Sequence, residues 1–167
     1  MGLFGTKTYS THDEYYTPKK TWEAVKNYIP QDYIIWEAFS MSSDRSATYL
    51  RELGFTVRSN NKDFFTCCPP SDINMIVSNP PFSIVKQIMP KLLEMDMPFM
   101  LIMPASKINT NYFREWRNKG IQIIIPRKRI QFDKDENGVI STRNQCNFDC
   151  FYYCYGLNLD KDITWLE

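Results

Sequence analysis

Apolar positions along the chain alternate between two spacings, the strand-like repeat of two residues and the helix-like repeat of about 3.6. The strand-like segments cover residues 33–39, 55–59, 73–79, 98–104, 121–126 and 147–157. The helix-like segments cover residues 19–29, 43–55, 83–95 and 109–120. This order predicts an α/β fold with an open, mostly parallel, doubly wound sheet and helices on both faces. Such sheets bind ligands beyond the carboxyl ends of their strands.

Local signals set the expected ends of these elements. Thr17 should cap the first helix with Pro18 in its first turn, and Gly54 should end the second. Pro90 should kink the third helix or end it early, because proline cannot donate within a helix. Residues 129–133 and 139–142, separated by a polar turn at 134–138, predict an antiparallel hairpin near the C-terminus.

The overall composition limits the partners that the chain can have. Its 167 residues fit one domain over residues 1–167, with no separate target-recognition domain. Twenty Lys and Arg residues against 19 Asp and Glu leave a net charge of +1, so nucleic-acid binding would depend on local patches. The candidates for phosphate contact are Lys19, Lys20 and the run Arg127, Lys128 and Arg129, although a solvated charged loop is the alternative.

The beginning of the chain and its cysteines bear on its compartment. The first residues lack the pattern of a signal peptide, and no apolar run reaches the roughly 18 residues that span a bilayer. An intracellular protein is expected, cytoplasmic or nuclear, and the compact form is also typical of viral or phage enzymes. Cys146, Cys150 and Cys154 recur at every fourth position and could form a metal cluster or share one buried strand face. The spacings of zinc sites are absent, so we predict no metal.

The stretch Ser78-Asn79-Pro80-Pro81-Phe82 follows the third predicted strand, at the edge where ligands bind. The Asn79 side-chain oxygen and the Pro80 carbonyl could each accept an N–H from an exocyclic amine on a flat ring. The two prolines fix the backbone, and Phe82 could stack on the ring. A base in a duplex would have to be flipped out to reach this pocket. The alternative is a strand that ends in a plain proline turn.

These residues resemble the catalytic motif of the S-adenosylmethionine-dependent adenine-N6 DNA methyltransferases. Two further stretches resemble motifs of that family in the same order, residues 14–22 (EYYTPKKTW) and residues 63–65 (DFF), while residues 35–39 (IWEAF) resemble its first strand. The resemblance implies the class I methyltransferase fold, S-adenosylmethionine as cofactor and DNA as target, with RNA bases or a protein amide as alternatives. It assigns catalysis to Asn79, Pro80, Pro81 and Phe82, and cofactor binding to Tyr16, Thr17, Pro18, Glu37, Phe39, Asp63 and Phe64.

Two departures from the family pattern fall on cofactor binding. Residues 40–47 contain no glycine where the family has a glycine-rich loop, and residues 57–61 lack the acid that usually binds the cofactor ribose, so an asparagine would have to serve. The chain is also short, so either a partner protein or a homodimer supplies the choice of DNA sequence, or there is little choice at all. A second hypothesis follows: a methyltransferase fold that has lost its cofactor and serves as a nucleic-acid-binding or structural subunit.

Overall fold

A computed structural model describes residues 15–40, 44–136, 139–141 and 147–167. The strands in these ranges are β1 (Tyr15–Tyr16), β2 (Ile34–Glu37), β3 (Thr56–Ser59), β4 (Met75–Ser78), β5 (Phe99–Pro104), β6 (Gln122–Ile125), β7 (Asp133–Glu136), β8 (Val139–Ser141), β9 (Cys150–Tyr155) and β10 (Ile163–Trp165). The α-helices are α1 (Lys19–Glu23), α2 (Arg45–Glu52), α3 (Val85–Met95) and α4 (Arg114–Arg117). Short 3₁₀ turns cover Lys26–Tyr28, Phe82–Ile84, Ala105–Asn109 and Asn111–Phe113.

Seven strands of the described chain form the main sheet, in the order β10-β6-β9-β5-β4-β2-β3. All neighbours run parallel except β9, which is antiparallel to both β5 and β6. The chain passes from β2 to β3 on one side of β2, and then crosses to β4 on the other side. This reversal makes the gap between β2 and β4 the switch point of the sheet, where a doubly wound fold opens a crevice for ligands.

Helices cover both faces of the main sheet, as its strand sequences predicted. Trp22 of α1 and Leu50 of α2 pack in one buried cluster with Ile35 of β2. The next residue of β2, Trp36, points to the opposite face and packs in a second cluster with α3 and α4. Every residue of β4 and β5 is buried, which is typical of central strands covered on both sides. The predicted doubly wound fold is therefore confirmed.

The end of α2 also follows its prediction. Leu53 is the C-terminal cap, and Gly54 follows it with a φ of +99°. Its backbone N–H donates to the Arg51 carbonyl, and that of Phe55 donates to the Leu50 carbonyl. Glycine reaches this left-handed conformation without the steric cost of a Cβ atom, so Gly54 turns the chain directly into β3.

The prediction that Thr17 caps the first helix is wrong. Pro18 itself is the cap residue, with extended φ and ψ of −63° and 151°, and no side chain of the described residues caps α1. The helix also ends at Glu23 and is followed by a 3₁₀ turn, well before residue 29. Thr17 lies one position before the cap and is only 2% exposed, because it packs at the switch point of the sheet.

Of the two effects predicted for Pro90, a kink or an early end of the third helix, the early end is wrong. The helix α3 continues for five residues beyond Pro90, to Met95. Its inner face carries Val85, Ile88, Met89 and Leu92, each with no exposed surface. Burying such side chains contributes about 1.5–3 kcal/mol each, so four of them outweigh the roughly 3 kcal/mol that an internal proline costs.

The fourth predicted helix is broken into pieces. Thr110 is extended, with φ of −87° and ψ of 154°, and it separates two 3₁₀ turns that precede the short helix α4. Its hydroxyl donates to the Lys107 carbonyl at 2.6 Å. Threonine often forms such local bonds in competition with helix, which explains the break.

The C-terminal hairpin is present but shifted along the chain. Strand β7 pairs with β8, yet β7 begins at Asp133 and includes residues that were predicted as turn. It also pairs antiparallel with Tyr15–Tyr16, which makes a second, three-stranded sheet in the order β1-β7-β8. The pairing partner lies more than a hundred residues away, so local sequence could not predict this register.

The last predicted strand lies at β9. Cys150 and Cys154 are buried in the same apolar cluster, as expected for residues that share a strand face, and burial raises the pKa of the Cys154 thiol. Cys146 lies outside the described residues. Within those residues no group of three or more His, Cys, Asp or Glu side chains could hold a metal. None of the helices there has the length and apolar character needed to cross a bilayer.

Candidate active site

A cleft opens at the switch point, beyond the carboxyl ends of β2 and β4. It encloses about 310 Å³, including space open to solvent. It brings together five predicted site residues, Tyr16, Thr17, Glu37, Phe39 and Asn79, and four others, Tyr15, Ser40, Arg45 and Ser46. The other predicted residues, Pro18, Asp63, Phe64, Pro80, Pro81 and Phe82, are not among its lining residues.

The amide of Asn79 is held from one side only. Its Nδ2 donates to the backbone carbonyl of Tyr15 at 3.2 Å. Its Oδ1 is buried and accepts no hydrogen bond from the described residues. Leaving a buried acceptor unpaired costs about 1–3 kcal/mol, so such atoms usually have a partner in the working state. The contact with Tyr15 therefore orients the free oxygen to accept from a donor that the described chain does not supply.

The two prolines and Phe82 carry the chain out of β4. Pro80 and Pro81 are buried, and the Pro81 carbonyl accepts from the Ile84 N–H at 3.2 Å, which closes a tight turn into α3. The Phe82 ring is 8% exposed and lies 5.8–6.2 Å from the rings of Tyr15, Phe132 and Phe148. This aromatic cluster ties the motif to the small sheet and keeps the turn rigid.

Glu37 is the buried acid at the end of β2. Its side chain is 3% exposed, and its Oε1 accepts hydrogen bonds from the Ser78 hydroxyl and, at 3.1 Å, from the Phe39 N–H. Burial raises the pKa of Glu37 to about 7, against the opposing effect of these two donors. The nearby charge of Asp44 raises it further. The cleft thus holds a carboxyl group that can change its protonation state near neutral pH.

Two further polar groups face the cleft without partners. The Thr17 hydroxyl oxygen is buried and forms no hydrogen bond within the described residues. The Nη1 of Arg45 is also buried and finds no acceptor there. The Arg45 guanidinium lies 4.6 Å from the centre of the Tyr16 ring, a cation–π distance that fixes its place at the cleft wall.

Phe39 connects the cleft to the predicted motif after β3. Its ring lies 4.6 Å from that of Phe64, which is fully buried. The Asp63 Oδ1 accepts from the Phe65 N–H at 2.8 Å, a local turn that shapes this loop. The Asn60 Oδ1 is used in the same way by the Lys62 N–H. The predicted roles of Asp63, Phe64 and the asparagines in cofactor binding remain predictions.

Asp44 is a structural residue that sequence reasoning missed. It precedes α2 in the left-handed region, with a φ of +47°. Its carboxylate accepts from the Ser40 hydroxyl, from Ser59 Oγ at 3.0 Å and from Arg51 Nη1 at 3.2 Å. These contacts tie the ends of β2 and β3 to the first turn of α2. A positive φ at an aspartate gives no sequence signal that could have revealed it.

Sequence reasoning also missed Tyr15 and Arg45. Tyr15 lies inside the N-terminal motif, but its role depends on a contact with Asn79, which is 64 residues away. Arg45 lies in the glycine-free stretch of residues 40–47, and only its position against Tyr16 places it at the cleft. Residues 41–43 of that stretch lie outside the described residues.

Comparison with known proteins identifies the fold. No family model matches the chain, and no curated protein is similar to it in sequence. Among solved structures, a protein from Listeria monocytogenes, provisionally described as a class I S-adenosylmethionine-dependent methyltransferase, superposes with a TM-score of 0.56. The match covers 96% of this chain and 68% of that protein, at 10% sequence identity. The chain therefore has the class I methyltransferase fold that its sequence predicted.

Proposed function

We propose that this protein transfers a methyl group from S-adenosylmethionine to the N6 amine of adenine in DNA. The buried, unpaired Oδ1 of Asn79 carries the proposal. It lies at the carboxyl end of a central strand, beside the switch-point cleft, where a doubly wound sheet binds its ligands. The fold it shares with a protein described as a methyltransferase supports the same reaction class.

The chain's own groups account for how the amine would be activated. An exocyclic amine is a weak nucleophile because its lone pair is delocalised into the ring. Hydrogen bonds from its two N–H groups to Asn79 Oδ1 and the Pro80 carbonyl favour the tetrahedral nitrogen, whose lone pair is free. An amide oxygen is too weak a base to take the proton, so we expect its release to water after transfer.

The cleft residues fit a cofactor of this kind. When bound, S-adenosylmethionine supplies an electrophilic methyl group on a positively charged sulfur. Thr17, Glu37 and Arg45 present polar groups to the cleft, two of them with unpaired buried atoms. Phe39, which also lines the cleft and contacts Phe64, provides an apolar wall for the adenine ring. The unpaired buried atoms of Thr17 and Arg45 favour a cleft that binds a ligand over one that only packs the fold, because buried polar atoms are normally hydrogen-bonded.

A basic surface at the same edge of the sheet supports DNA as the target. Arg127 and Lys128 follow β6, are exposed, and form no ion pair within the described residues. Lys20 is also exposed, whereas Lys19 pairs with Glu52 and Arg129 pairs with Asp149. Trp165, 68% exposed, lines the same groove as Arg127 and Lys128. Cations bind phosphates and an exposed indole stacks on bases, with little sequence preference. A partner protein or a second copy would supply sequence selection.

The test is a methyl-transfer assay with the purified chain and cofactor labelled on its methyl group. Parallel reactions contain single-stranded DNA, duplex DNA, RNA or a mixed protein substrate. We expect label in DNA, recovered as N6-methyladenine by mass spectrometry of the digested nucleosides. Label in RNA or protein alone would overturn the choice of DNA but keep the reaction class.

A second candidate function is favoured by the absence of glycine in residues 40–47. In that case the chain has lost cofactor binding and serves as a nucleic-acid-binding or structural subunit. Calorimetric titration with S-adenosylmethionine separates the two candidates. Binding supports the enzyme, whereas the absence of any heat at millimolar cofactor, together with retained DNA binding, supports the subunit.

A further inference from the structure

The candidate cleft contains two groups of opposite charge that are not paired with each other. The Glu37 carboxylate is 3% exposed, and among the described residues its donors are both neutral, the Ser78 hydroxyl and the Phe39 N–H. The Arg45 guanidinium contacts the Tyr16 ring, and its buried Nη1 finds no acceptor in the described ranges. Both residues line the same cleft.

A buried charged or polar atom without a partner is costly, and here the cleft holds a buried carboxyl group and a guanidinium with one buried, unpaired nitrogen. Asp133 is a second acid close enough to Arg45 to interact with its charge. Burial raises the pKa of Asp133, and the positive charge of Arg45 lowers it by a smaller amount. Asp133 and Arg45 nevertheless form no ion pair within 4 Å in the described part of the chain. The electrostatics therefore favour a ligand that brings a positive and a negative group together.

We propose that Glu37 and Arg45 clamp the zwitterionic amino-acid head of the cofactor. The ammonium group would lie at Glu37, and the carboxylate would lie at Arg45 and the free hydroxyl of Thr17. A planar guanidinium matches a carboxylate with two parallel hydrogen bonds. A nucleic-acid phosphate is a poorer occupant, because the buried Glu37 in the same cleft would repel it. The inference rests on the proposed cofactor.

This clamp would also account for the glycine-free stretch. A glycine loop holds a ligand by close approach of its backbone. Here the segment that leaves β2 is tied back by Asp44, which is bonded to Ser40, Ser59 and Arg51. Arg45 comes directly after it and reaches the cleft with a long side chain. A side-chain cation would thus supply the donors that backbone N–H groups provide elsewhere.

The experiment compares two ligands that differ only in the amino-acid head. S-adenosylhomocysteine carries the zwitterion, whereas 5′-methylthioadenosine lacks it. Calorimetric titrations use the full chain and three variants: Arg45→Gln, Arg45→Lys and the control Arg58→Gln. Arg58 is exposed on β3 and pairs with Asp72, away from the cleft. Thermal unfolding of each variant confirms that it is folded.

We expect Arg45→Gln to weaken S-adenosylhomocysteine binding about 10- to 100-fold, the range for a hydrogen bond between charged groups. Its affinity for 5′-methylthioadenosine should not change, Arg45→Lys should recover part of the loss, and Arg58→Gln should match the wild type. If Arg45→Gln weakens both ligands equally, or neither, the clamp is overturned.

The wild-type titrations separate this inference from the proposed function. If the wild type binds both ligands with equal affinity, the clamp fails while cofactor binding stands. If it binds neither ligand at millimolar concentration, the proposed cofactor and the clamp fail together. If Arg45→Gln does not fold, Arg45→Lys is compared with the wild type instead. A loss of affinity confined to the zwitterionic ligand still supports the clamp. An equal loss of affinity for both ligands overturns it.

Discussion

The two halves of the candidate site are built differently. On the proposed target side, a short backbone motif leaves β4 and is held by neighbours, with Asn79 bonded to the Tyr15 carbonyl and Phe82 packed among three rings. On the proposed cofactor side, the charged side chains of Glu37 and Arg45 line the cleft, and Asp44 holds the segment between them through its contacts with Ser40, Ser59 and Arg51. Backbone motifs can be recognised in a sequence, whereas a charge arrangement becomes visible only when the chain is folded.

The largest expected effect tests the target side. Asn79→Ala removes the acceptor for the amine, and loss of one such preorganised group costs about 10²–10³ in kcat. Cofactor affinity, measured by calorimetry, should change little because the proposed cofactor contacts are made by Thr17, Glu37 and Arg45 and not by the Asn79 amide. The matched control is Asn118→Ala at an exposed asparagine. Loss of cofactor affinity and activity together in Asn79→Ala would instead indicate a structural role.

The next prediction concerns the buried charge on the cofactor side. The folded pKa of Glu37 is raised to about 7 from an ordinary value near 4.5, so the folded state binds the proton more tightly than the unfolded state. The free energy of unfolding should therefore fall as pH rises from about 4.5 to 7, by at most about 3 kcal/mol at 1.36 kcal/mol per pKa unit. Above pH 7 the free energy of unfolding stays lower by this full amount.

Glu37→Gln removes this titration and leaves acceptors for Ser78 and Phe39. The free energy of unfolding of the variant minus that of the wild type should increase between pH 5 and pH 8. The new amide can add a constant difference at every pH, but it does not change this increase. Urea unfolding at pH 5, 6, 7 and 8 measures the difference, with the exposed Glu94→Gln as control. A difference between Glu37→Gln and wild type that is the same at every pH would contradict the raised pKa.

Phe82 provides a test that separates packing from stacking. Because its ring is 8% exposed, Phe82→Ala should destabilise the fold by about 3–5 kcal/mol, which would confuse any kinetic result. Phe82→Leu keeps most of the apolar volume but removes the aromatic face. If Phe82 stacks on the flipped base, this variant should raise KM for DNA about 10-fold, since stacking contributes roughly 1–3 kcal/mol. An unchanged KM would show that the ring serves packing alone.

The smallest effect is expected at the basic surface outside the cleft. Arg127→Gln with Lys128→Gln should weaken DNA binding similarly for every sequence. The slope of log affinity against log salt should fall by about one for each phosphate that is no longer neutralised. Fluorescence anisotropy at several salt concentrations measures both quantities. Lys86→Gln with Arg114→Gln removes two exposed charges from α3 and α4 and serves as the control. Equal slopes for the two double variants would place the DNA elsewhere.

Errors in the predicted elements share one cause. Thr17 is a good cap residue by type, but it is buried at the cleft instead. Pro90 is a helix breaker by type, but the buried face of α3 outweighs its cost. Strand β10 was missed because three residues with an exposed Ile163 and Trp165 carry little strand pattern. In each case tertiary packing overrode a local preference.

The sequence alone determined the doubly wound fold and the position of the amide–proline motif at a strand end. Both follow from local information, since apolar periodicity sets element type and parallel strands aim their carboxyl ends at one edge. Only the tertiary structure decided that Tyr15 orients Asn79, that Asp44 ties β2, β3 and α2 together, and that Glu37 and Arg45 share one cleft. These contacts join residues distant in sequence or depend on side-chain direction. They arise from packing between distant segments, which no local pattern encodes.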